Sequence, residues 1–185
     1  MKTLLKNITQ IHTGLFTKPS GFGELVYLQV KHFDENGQLN AVLYPDLKPD
    51  GISEKHILKD GDVLFAAKGT KNFAAVFENH NEPSVASTSF FVIRPVRGKI
   101  LPHYLAWFLN HYSTQAFLKE QALGTSIPSI SKHVLENLII SVPDIEIQKN
   151  ILEITKLLNR EKYLKQEIET LRDRQIQQQI INAIK

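Results

Sequence analysis

The chain has 185 residues, 42% of them hydrophobic and 22% charged, which is enough for one full domain plus a further element, short for two independent cores, and too apolar for extended disorder. A formal net charge of +3 permits a polyanionic partner without demanding one, while zero cysteines exclude disulfides, thiolate nucleophiles and cysteine-based zinc sites. No apolar run reaches the roughly 18 residues of a membrane span, and MKTLLKNITQIHTG has neither the long apolar stretch nor the cleavage site of a secretory signal, so the expectation is a cytoplasmic protein without a membrane partner.

The first hundred residues read as short strands separated by turn chemistry. ELVYLQVKHF alternates apolar and polar residues and runs into DENG, where Asn36-Gly37 predicts a hairpin turn before QLNAVLY. PDLKPDG is a loop, KDGD a tight turn, DVLFAA a strand, KGTKN a turn, FAAVF a strand, and STSFFVIRP a longer strand that Pro95 ends. Between Ala66 and Lys99 five basic residues (Lys68, Lys71, Arg94, Arg97, Lys99) face two acidic ones (Glu78, Glu82), making this stretch the expected cationic surface.

After Lys99 the apolar period changes from two to about 3.6. Pro102 suits a first helical turn, and Leu105, Phe108, Leu109 and Tyr112 line one face; Ser113 caps a second helix to about Glu120. GTSIPSIS is a loop whose Ser131 caps a short helix, and LIISV is a buried strand returning to the sheet. The order predicts an α+β fold with a twisted antiparallel sheet or partial barrel and short helices over residues 1–143, then one long C-terminal coiled-coil helix over 144–185.

That last segment, from about Ile145 to Ile184, contains neither Gly nor Pro. A helix of about 40 residues at 1.5 Å rise reaches roughly 60 Å, more than one domain needs to close its core. Ile147, Ile154, Leu157, Leu164, Ile168 and Leu171 step by sevens, threes and fours, the seam of a coiled coil, which calls for a partner helix. Asp144 after Pro143 is a good N-cap, and Glu161 with Lys165 a favourable i, i+4 pair. Past Leu171 the seam meets Gln175 and Gln178, and the apolar face resumes at Ile176, Ile180, Ile181 and Ile184.

Catalytic constellations are missing from the sequence. No phosphate-binding Gly-x4-Gly-Lys-Ser/Thr occurs, and GFGELV opens a strand where a dinucleotide fingerprint opens a helix. PDLKPDGISEKH has an outline like a metal-dependent nuclease, yet Glu54 and Lys55 are adjacent and point to opposite faces of a strand. The seven histidines never fall at i, i+3 or i, i+4 spacing, so no local metal pair is expected. The residues read as a binding module.

Taken together, GDVLFAAKGT, ASTSFFVIRP, LPHYLAWFLN and GTSIPSISKHVLENLIISVPDIEIQKNI, followed by the charged helix, resemble the specificity subunit of type I restriction-modification systems: one target-recognition domain with its helical spacer. The resemblance covers nearly the whole chain and is most specific from GTSIPSIS through PDIEIQ; the first 60 residues match only in outline. Family members carry two such halves with antiparallel spacer helices, so the resemblance implies a half-length form that homodimerises through its C-terminal helix and reads two inverted half-sites of double-stranded DNA.

The resemblance further implies direct base readout, with methyltransferase and restriction subunits as partners that bring S-adenosylmethionine, ATP and the nuclease, and no catalysis or bound cofactor in this chain. Lys68, Thr70, Lys71 and Asn72 of KGTKN are the first candidates for the DNA face, and Tyr27, Gln29 and Lys31, sharing one face of the first strand, the second. Trp107, Phe108 and Tyr112 are expected in the core rather than in a base-stacking platform. Two other readings compete: a specificity module of a related restriction-methylation enzyme outside type I, and a coiled-coil adaptor whose head binds protein.

Overall fold

The computed structural model describes residues 1–34, 37–69, 72–78, 82–122 and 128–184. Met1–Gln148 make one compact unit and the residues from Lys149 onward a second.

Among the described residues the strands are short and mostly antiparallel. β2 (Thr9–Thr13), β7 (Phe90–Pro95), β4 (Val63–Ala66) and β5 (Ala74–Val76) form a four-stranded antiparallel sheet in the order β2-β7-β4-β5. β1 (Lys2–Leu4) pairs antiparallel with β8 (Ile139–Ser141). β3 (Val26–Leu28) and β6 (Ser84–Ala86) instead run parallel, a pairing that needs a long crossover, supplied here by residues 29–83. The expected α+β class with antiparallel sheets is present.

The strand expected over ELVYLQVKHF stops at Leu28, because Val30–His32 winds into a 3-10 turn. Among the described residues, the expected hairpin is represented by one antiparallel bridge, Phe33 with Leu39. It is closed by Asp34 N–H on Gln38 C=O and Gln38 N–H on Asp34 Oδ1, each at 2.8 Å. Gly37 sits in this turn with φ +76°, and a Cβ there would lie 2.9 Å from the Phe73 ring, so the position requires glycine both for conformation and for space. Asn36 lies outside the described residues.

Both faces of β4 and β3 are covered, which explains their unbroken apolar sequences. Leu64 and Ala66 point into one cluster with Val26, Leu28, Phe73 and Phe90. Val63 and Phe65 alternate to the opposite face, against which α1 (Pro102–Asn110) packs on β5 and β4. Leu25 and Tyr27 fill a second cluster with Leu47 and Val85.

Pro102 opens α1 as expected, and Leu105 and Leu109 are fully buried beneath it. α2 (Tyr112–Glu120) starts one residue before Ser113; His111 is its N-cap, and Ser113 Oγ bonds the His111 ring instead. Tyr112, expected in the core, is 79% exposed because the chain turns at His111 and breaks the helical stripe. Ser131 caps α3 (Lys132–Glu136) by accepting Val134 N–H at 3.2 Å. β8 is not the buried strand returning to the sheet expected of LIISV: among the described residues it pairs with β1 alone, and Ile139 is exposed while Ile140 is buried.

α4 runs from Ile145 to Ala183, and the Asp144 carbonyl accepts its first N–H, from Gln148. All six expected seam residues, Ile147, Ile154, Leu157, Leu164, Ile168 and Leu171, are at least 40% exposed in the single chain. Glu161 and Lys165 form the expected ion pair at 2.6 Å. No helix of the described residues is long and apolar enough to cross a membrane.

Candidate nucleic-acid interface

The β4–β5 connection carries the first group of candidates. Ala66 N–H bonds Phe73 C=O at 2.8 Å, and the Asn72 side-chain amide donates to Ala66 C=O at 2.9 Å, so Asn72 spends one of its donors closing its own loop. Lys68 is exposed and pairs through its backbone with Ser129, while Gly69 N–H reaches Pro128 C=O at 2.9 Å. Lys68 and Gly69 are thus seated on the segment that leads to α3. Thr70 and Lys71 lie outside the described residues, as do Gly124, Thr125 and Ser126.

The second group divides. Tyr27 is only 3% exposed, with its hydroxyl donating to Leu15 C=O at 2.9 Å and its N–H bonded to Asp46 Oδ1. The expectation that it shares an open strand face with Gln29 and Lys31 fails because the segment around Leu47 covers that face and the strand ends before Gln29. Burial also raises the Tyr27 hydroxyl pKa. Gln29 begins the 3-10 turn, its N–H donating to His32 Nδ1 at 3.3 Å, and Lys31 is exposed within it. The His32 pKa is lowered, first by burial and then by Lys31.

The fold packs the segment that follows β3, with Lys31, against the β4–β5 connection, with Lys68. Phe33, two residues past Lys31, packs against Phe73, one residue past Asn72, with centroids 5.7 Å apart, and both meet Phe90 at 5.6 and 6.1 Å. The β6–β7 turn lies between the two groups: Ser87 N–H bonds Leu28 C=O, and Ala67 N–H bonds Ser89 C=O. Aromatic edge-to-face packing of this kind contributes about 0.5–1.5 kcal/mol per pair beyond burial, so the three rings form a firm seat for the loops above them.

The cationic stretch expected between Ala66 and Lys99 is not one surface. β4 and β7 are antiparallel, so Lys68, after β4, and Arg97 and Lys99, after β7, emerge at opposite ends. Arg94 is committed to an ion pair: its Nε and Nη2 bond the two oxygens of Asp62 at 2.7 and 2.6 Å, and Asp62 is 1% exposed. Its pKa rises chiefly through that hydrogen bond. The far end holds a cleft of about 640 Å³ whose lining includes Lys59 and Arg97 but also Asp60. Trp107 and Phe108 are half-buried, and Trp107 stacks on the buried Tyr104 ring at 5.4 Å, in line with a packing role.

Two fastenings escaped the sequence reading. Asn110, the last residue of α1, donates to Ala74 C=O at 2.8 Å and accepts Ala74 N–H at 2.7 Å, taking the place of a further strand at the β5 edge. Gln148 is 0% exposed, accepts Leu101 N–H at 2.8 Å, and donates to Pro143 C=O at 2.8 Å and Lys99 C=O at 3.3 Å. A glutamine among Ile145, Ile147 and Ile151 was the available signal for the latter; the former left none.

Residues 47–170, which include β4 through α3 and much of α4, match the type I restriction modification DNA specificity domain. The chain belongs to this family. It is 30% identical over 115 residues to the type I restriction enzyme MjaX specificity subunit of Methanocaldococcus jannaschii, covering 59% of this chain and 26% of that protein. With the HindI specificity subunit of Haemophilus influenzae it shares 33% identity over 104 residues, 54% of this chain and 22% of that one. The solved HsdS subunit of Thermoanaerobacter tengcongensis superposes with a TM-score of 0.62 at 20% identity, over 90% of this chain and 44% of that chain, and so shares the fold. This specificity-domain chain therefore spans about a quarter of the length of the curated relatives it matches.

Proposed function

We propose that the chain is the sequence-reading component of a type I restriction-modification system, and that it recognises double-stranded DNA through the end of the head that carries Lys68 and Lys31. The supporting observation is the aromatic seat of Phe33, Phe73 and Phe90, which joins two separate sequence segments bearing exposed lysines within the family's matched region and its immediate neighbour. Lysine and amide side chains on such loops suit guanine edges and phosphates, and phosphate contacts supply register while base edges supply sequence. Lys68, Lys71, Thr70 and Asn72, with Gln29 and Lys31, are the contacts proposed; the buried Tyr27 acts from beneath as a support.

In this reading the chain works in the cytoplasm and provides the address, not the chemistry. Methyltransferase and restriction subunits carry out modification and cleavage. Two copies associate through α4 and present their heads to a bipartite site with inverted halves.

Selection from a random duplex pool, with and without a methyltransferase subunit, tests the reading. Enrichment of a short motif that recurs as an inverted pair is the expected result. A pool that stays unenriched in both arms would refute it.

A further inference from the structure

The first part of the chain that crosses from β3 to β6 encloses an apolar cavity of about 310 Å³. Its floor is the core of the head, Val26, Leu28 and Leu64, each at most 3% exposed, and one wall is Phe33 with Leu39, Ala41 and Leu43. An alternation in the sequence makes that wall. Leu39, Ala41 and Leu43 line the cavity while Val42 and Tyr44 are 78% and 73% exposed, the period of an extended chain with one face turned inward. Val76, which ends β5, and Phe77 after it complete the apolar lining.

The polar groups of the cavity are few and carry one sign of charge. Ser84 is buried, and its hydroxyl is spent on Glu82 C=O at 3.0 Å. Glu78 and Glu82 are both exposed, which puts them at the mouth, and among the described residues no lysine or arginine lines the cavity. Glu78 meets the exposed His103 ring at 3.3 Å, a contact open to water and to exchange.

We propose that this cavity binds a small organic cation: a compact aromatic body seated against Phe33 and Phe77, with a protonated amine held by the carboxylates of Glu78 and Glu82. The size fits. An apolar cavity of about 150 Å³ takes benzene, so roughly twice that volume suits a fused two-ring body, and a mainly apolar recess with a few convergent polar groups is the usual form of a small-ligand site. Aromatic rings on the wall add edge-to-face or offset stacking to simple burial. Charge then selects among apolar ligands. Two carboxylates at the mouth repel fatty acids, aromatic acids and phosphate, so the cavity is no part of a DNA face and the proposal does not depend on the reading of DNA. A polyamine has the charge without an apolar body to fill the recess.

Tryptamine, tryptophol and indole-3-propionate test this, because they share one two-ring body and end in a cation, a neutral hydroxyl and an anion. Calorimetric titration of the full chain at low salt should show tryptamine binding about fivefold more tightly than tryptophol, with indole-3-propionate weaker still and spermidine silent. Glu78→Gln with Glu82→Gln, at two exposed positions, should bring tryptamine down to the affinity of tryptophol. Ala41→Phe fills the recess and should abolish binding of all three, and methyl NMR shifts at Leu39, Leu43 and Val76 of the unmodified chain locate the probe without any variant. Three indoles bound alike, no heat from tryptamine up to millimolar concentration, or a preference that survives the double glutamine change overturns the proposal. A basic peptide with one central phenylalanine that binds more tightly than tryptamine also overturns it, by assigning the recess to a side chain of a partner protein.

Discussion

Arg94 of β7 grips the buried carboxylate of Asp62, the residue just before β4, at two points, Nε to Oδ1 at 2.7 Å and Nη2 to Oδ2 at 2.6 Å. Asp62 also accepts Lys59 N–H at 2.8 Å, so the pair pins the 59–62 turn to the sheet. Arg94→Met leaves that carboxylate buried without its counter-charge and should lower unfolding stability by about 3 kcal/mol, read from the urea midpoint. DNA affinity of the folded fraction should be unchanged, because this guanidinium is tied to Asp62.

Gln148→Leu removes three hydrogen bonds at a site with no access to water. The orphaned Leu101 N–H and Pro143 C=O should cost about 2–3 kcal/mol. Hydrogen exchange at Leu101 should accelerate locally, while exchange within β4 and β7 speeds up only as far as the loss of global stability requires.

At the proposed reading end, Lys68→Ala should weaken duplex binding a few-fold and reduce the salt slope by about one if the lysine contacts phosphate, or relax base preference if it contacts an edge. Lys31→Ala should behave alike. Tyr27→Phe, by contrast, loses only the bond to Leu15 C=O and should cost about 1 kcal/mol of stability with base preference intact. A Lys68 variant with unaltered affinity, slope and preference would remove that turn from the DNA face.

Acid should destabilise the fold through two histidines. Burial, chiefly, lowers the His12 pKa, aided by Arg94, and burial with Lys31 lowers that of His32, whose Nδ1 accepts Gln29 N–H. A folded pKa below the unfolded value of about 6.5 means the unfolded chain binds more protons in that window, so stability falls as pH drops below 6.5 and levels off once the folded histidines are also protonated. Denaturation at pH 7.5 and 5.5 should show the loss, and His32→Gln should diminish it.

What could be read from the sequence was local. α4, the Ser131 cap, the Pro102 start and the KDGD turn each follow from residues within a few positions of one another. The parallel β3–β6 pair, the Asn110 lock on Ala74 and the Arg94 grip on Asp62 join residues tens of positions apart, and no periodicity encodes them. The same limit holds for the candidate site: the contact of Phe33 with Phe73 joins the segments of Lys31 and Lys68 across some forty positions, and the cover of Tyr27 by Leu47 is equally remote in sequence.

The rings of Phe33, Phe73 and Phe90 touch each other rather than the polar tips they carry. Such a plinth carries its own stability: on the proposed reading, exposed lysines displayed above it could be exchanged without renegotiating how the rings pack.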